Sequence, residues 1–145
     1  MNAHRLPALL FGIAALLLLG LLLWAPQAGL DLHVADTYLV IEKPFLYAAP
    51  AALCFLFCLL YLVAGRILLS RWLSWIHLGL TLAFFAGIFY TAHSGPSGGT
   101  TVNLQPRLWT GTPFELLLAG FAIGQAVFVL NLLGGLLRAP FRRRA

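Results

Sequence analysis

Four uninterrupted apolar runs, at 6–24, 45–65, 72–92 and 114–137, take up most of this 145-residue sequence and leave few folds open to it. Each run supplies the ~20 residues that cross ~30 Å of hydrocarbon at about 1.5 Å per helical residue. Backbone groups in lipid must pair within their own segment or around a closed barrel. The runs are rich in Leu, Ala and Gly and do not alternate apolar with polar residues, as barrel strands would. The expectation is therefore an all-α, four-helix transmembrane bundle forming one membrane domain over 1–145, with outer loops at 25–44 and 93–113. A chain that is 61% hydrophobic and 9% charged is not an ordinary soluble domain.

The first run has a second reading as a secretory signal, with Arg5 as its basic n-region. Its apolar core is longer than the 7–15 residues usual for a signal. The best cleavage candidate, Pro26-Gln27-Ala28, puts proline where a small residue is expected. A retained helix is the expectation.

Charge sets orientation. With four spans, Arg5, Arg66, Arg71, Arg138, Arg142, Arg143 and Arg144 share one side, against Lys43 and Arg107 on the other. The acids Asp31, Asp36, Glu42 and Glu115 fall on or near that second side. Translocated loops are poor in Lys and Arg, so both termini are expected in the cytoplasm and both long loops outside, in a bacterial inner membrane. The net charge of +5 then reflects topology and attraction to anionic lipid heads, not nucleic-acid binding.

Inside the spans, small and polar residues mark helix contacts. Gly79, Ala83 and Gly87 form a small stripe on the third run, and Gly120 and Gly124 make a GxxxG on the fourth. Gln125 and Asn131 need polar partners in lipid and are expected to face protein. Packing within the chain is the plainer use of these residues; a second protein or a second copy of the chain is the alternative. Cys54 and Cys58, one helical turn apart, read as packing residues, since no other cysteine completes a ligand set.

The segment 29–47, GLDLHVADTYLVIEKPFLY, is more specific. It resembles the stretch of haem–copper oxidase subunit I, the catalytic subunit of cytochrome c oxidase, that joins its ninth and tenth transmembrane helices. Asp31, Asp36, Thr37, Tyr38 and Val40 stand in register with that family's pattern. The resemblance continues in the same order through 6–24 (ninth helix), 69–90 (eleventh) and 114–138 (twelfth). It implies the topology deduced above, because the family's loop lies outside.

The departures bear on function. The family's two haem-ligand histidines at this place correspond to Lys43 and Phe45, and phenylalanine cannot ligate iron. The arginine pair that holds haem propionates keeps one member, Arg107, in Pro106-Arg107-Leu108. A His-Asp pair that binds a non-redox metal becomes Ala35-Asp36. The copper ligands and the other low-spin haem ligand come from earlier helices that this sequence does not contain. The resemblance thus implies a degenerate haem site, no enzymatic activity, and a place as an accessory or assembly subunit among other membrane-protein subunits.

Other chemistry rests on a few residues. His77, inside the third span, is a functional candidate by position; its plainer reading is a histidine satisfied by a nearby Ser, Thr or carbonyl. A haem- or quinone-linked electron-transfer subunit would draw on His77, His93 or His33, with Arg107 as a propionate partner. His77 and His93 are about 24 Å apart along one helix and cannot clamp one iron from it. On the outer side Asp31, His33 and Asp36 have donors suited to Mg²⁺, Mn²⁺ or Zn²⁺, though they do not share one face of a helix or strand. No cofactor is expected from the residues alone, with haem or a divalent metal as the alternatives.

Overall fold

The computed structural model describes residues 5–24, 29–34, 37–65, 67–93, 99–104 and 113–142, with backbone alone at 29–34, 37–39, 93, 99–104 and 139–142. The order is α1 (Arg5–Trp24), β1 (Gly29–Val34), β2 (Thr37–Ile41), α2 (Lys43–Ala64), α3 (Arg71–His93), β3 (Gly99–Leu104) and α4 (Pro113–Arg142). All four helices are long and apolar enough to cross a membrane, and they form the expected all-α bundle.

The helix starts follow the sequence. Glu42, in extended conformation, caps α2, and Pro44 sits in the first turn, where a missing N–H costs nothing. Pro50 lies inside α2 without ending it, as transmembrane helices allow. Helix α4 runs on to Arg142 instead of stopping near 137. Basic residues in a last turn oppose the negative end of the helix dipole, which favours this extension.

The outer loops contain more order than expected. In the first loop Thr37–Ile41 forms β2, paired antiparallel to β1. β1 also pairs in parallel with β3, giving the sheet order β2-β1-β3. β3 lies in a stretch whose glycines and serines read as a flexible turn. Its Thr100, Thr101 and Val102 suit a strand, and the partner that stabilises it is some seventy positions away. This pairing brings both interhelical loops to one end of the bundle, with Arg5, Arg71 and Arg138 at the other.

Helices pack chiefly as two antiparallel pairs, α1 with α2 and α3 with α4. The core is aromatic where the pairs meet. Phe11 of α1 contacts Phe57 and Tyr61 of α2, with ring centroids 5.4 and 5.8 Å apart. Phe84 stacks on Phe121 of α4 at 4.5 Å, and Tyr47 on Phe89 at 5.1 Å. Outward, Leu16, Phe55, Val63, Leu130 and Leu137 are all exposed. An apolar exterior on every helix fits surrounding lipid. Trp24, Trp72 and Tyr90, also exposed, lie at helix ends, where aromatic rings collect at the membrane–water boundary.

Candidate functional site

The four helices converge on His77. Its side chain is fully buried, and rings from the three other helices enclose it. Phe57 meets it edge-on at 4.5 Å, Phe128 lies at 4.9 Å, and Phe11 at 5.4 Å. Nδ1 is 3.0 Å from the Tyr61 hydroxyl, whereas Nε2 has no hydrogen-bond partner. The sequence reading supposed a quiet Ser, Thr or carbonyl partner. The structure supplies a tyrosine from α2 and leaves one nitrogen unpaired.

Polar residues continue along the same face of α3. Ser70, Ser74, His77 and Thr81 recur at intervals of three and four, the spacing that keeps residues on one side of a helix. Asn131 of α4 accepts from the Ser70 N–H through Oδ1 at 2.8 Å and donates from Nδ2 to Ser74 Oγ at 3.0 Å. Its backbone carbonyl accepts from the Leu69 N–H at 3.1 Å. Farther along, Gln125 Nε2 donates to Thr81 Oγ1 at 3.3 Å. Gln125 and Asn131 thus both face protein. Asn131, fully buried, joins α4 to the turn between α2 and α3. Asn131→Leu is expected to lower stability in detergent by roughly 1–3 kcal/mol, because it strands the Ser70 N–H and removes the bond that Ser74 Oγ accepts, leaving that hydroxyl only its bond to the Ser70 carbonyl. A denaturant titration followed by circular dichroism measures this, and an unchanged midpoint would mean the turn is held elsewhere.

The small residues divide into two groups. A Cβ at Gly124 would meet Leu80 at 3.1 Å and lie 3.8 Å from the His77 carbonyl; one at Gly120 would lie 3.8 Å from Leu80. A Cβ at Gly87 would run into Leu117. These three glycines sit where α3 and α4 approach closely. Gly79 has nothing within 4 Å of an added Cβ, and Ala83 is exposed. The reading of 79–83–87 as one internal packing stripe therefore holds only at Gly87. Two contacts went unread in the sequence: Gly134 and Gly135 pack against the α2–α3 turn at Leu69 and Ile67. A second glycine pair on α4, after Asn131, was the available signal.

His93 ends α3, sixteen residues from His77. Asp31 pairs in register with Val40 and Thr101, and His33 with Tyr38 and Asn103. Asp36 and Arg107 lie outside the described residues. Among the described residues no three His, Cys, Asp or Glu side chains come together as a metal site. Lys43 and Phe45 occupy the first turn of α2, with the Phe45 ring 70% exposed. Cys54 is buried and Cys58 partly so, both as free thiols.

Fold and surface define the class: an integral membrane protein of four helical spans. Comparison with protein-family models, curated proteins and solved structures finds no match to this chain.

Proposed function

We propose that this protein is a non-catalytic, oxidase subunit I-like accessory or assembly subunit of a respiratory or other membrane complex. It resides in a bacterial inner membrane, with loops 25–44 and 93–113 outside and both termini in the cytoplasm. One observation carries the reading. Where the resemblance calls for haem ligands there is an exposed Phe45 beside Lys43 in the first turn of α2, and the bundle centre is filled by side chains packed around His77. The loop pattern is kept while the ligand positions carry other residues. Gly79 and Ala83, small and outward-facing on α3, give a partner helix room to approach.

The competing reading, a haem- or quinone-linked electron-transfer subunit, draws on the unpartnered His77 Nε2. An axial ligand needs open space in front of its nitrogen, and Phe57 and Phe128 crowd that imidazole.

Two measurements decide the matter. The tagged protein, extracted from its own membranes in mild detergent, is expected to migrate on native gels with an oxygen-reducing complex, and its deletion to lower membrane oxygen consumption several-fold. Migration alone, with unchanged respiration after deletion, overturns the proposal. A reduced-minus-oxidised spectrum of the pure chain is expected to be flat; Soret and α bands near one haem per chain favour the electron-transfer reading instead.

A further inference from the structure

Helices α1 and α2 do not close against each other along their outer side. A groove of about 830 Å³ runs between them from Arg5 to Leu19, a volume in the range of small-molecule sites. Small residues make it: Ala8, Gly12 and Ala15 on α1 and Ala48 and Ala52 on α2 line it. A Cβ at Gly12 would lie 3.3 Å from Cys58 Sγ, so the α1 backbone lies close against that side chain beneath the groove. Leu16 and Phe55, both exposed, rise on either side as walls. Arg5, at the mouth, is the one charged residue of the lining among the described residues.

We propose that this groove is a site for one anionic phospholipid, its acyl chain along the Gly12 floor and its phosphate at Arg5. The two halves of the groove call for the two halves of that molecule. An almost wholly apolar trough offers a hydrocarbon chain contact along its length. A hydrocarbon chain gains little there over bulk lipid, because tails are as apolar as leucine side chains. Selection therefore falls to the mouth, where a guanidinium forms charge-assisted, bidentate hydrogen bonds to phosphate. Arg5 shares its end of the bundle with Arg71 and Arg138, which adds to the positive potential at that surface. A transmembrane helix laid in the same groove would cover the apolar floor but bring no anion to Arg5. The site does not depend on the accessory-subunit reading.

The test uses the full chain in vesicles of equal phosphatidylglycerol and phosphatidylcholine, followed by extraction in mild detergent and native mass spectrometry. One phosphatidylglycerol per chain is expected to persist, about fivefold enriched over phosphatidylcholine, the effect of one basic residue at an anionic surface. Arg5→Gln is expected to bring the ratio to about one. Ala52→Leu, at an exposed groove position with helix content checked by circular dichroism, is expected to lower retention of both lipids. Equal retention by the unaltered chain, or a ratio indifferent to Arg5→Gln, overturns the proposal. So does a cross-link from a cysteine placed at Ala52 to another polypeptide in native membranes, which would assign the groove to a protein helix.

Discussion

Gly135→Ala is expected to destabilise the protein by roughly 3 kcal/mol, near the upper end of what overpacking usually costs. A Cβ at that position would fall onto the Ile67 carbonyl oxygen, with the carbonyl carbon at 2.7 Å and the Leu69 nitrogen at 2.9 Å. These are backbone atoms of the α2–α3 turn, so no side chain can swing aside. The same turn is bonded to Asn131 through Leu69 and Ser70. Moving α4 away to relieve the clash would break those bonds too. Gly79→Ala is the matching control. With nothing within 4 Å, it should leave packing alone and add about 0.5–1 kcal/mol, the usual gain of alanine over glycine within a helix. Opposite signs in one denaturant assay are the expected result; two equal shifts would dismiss the close approach at Gly135.

Phe11→Ala should cost about 3–5 kcal/mol, the range for removing a fully buried aromatic side chain. Phe11 is the ring that α1 contributes to the His77 enclosure, against Phe57, Tyr61 and the imidazole itself. Its loss opens a cavity where α1 meets the other helices. Leu9→Ala, on the exposed side of the same helix, should change the unfolding midpoint little. If both substitutions shift it equally, α1 is not held to the bundle by Phe11.

The spans were legible because length and apolarity are properties of a single segment; the end of α4 at Arg142, beyond the apolar run, was not. Gln125 and Asn131 were legible too, since a polar side chain in lipid needs a partner wherever that partner lies. The sheet was not. β3 has meaning only beside β1, and nothing in 99–104 names that neighbour. His77 was identified as a candidate, but its surroundings were not. Phe11, Phe57, Tyr61 and Phe128 come from three helices whose rotations about their own axes no single run encodes. The stripe at 79–83–87 shows the same limit: small size says that a helix can approach, not which face it uses.

The parallel pairing of β1 with β3 carries a consequence for assembly in time. β1 emerges with the first helical hairpin, while β3 crosses only after α3 has been threaded into the membrane. Until then one edge of β1 stays open. Closing that edge spans about half of the chain, and long-range strand pairing is intrinsically slow. The sheet therefore closes later than the first hairpin, and it is a latch that fastens the hairpins together at the end far from their covalent link.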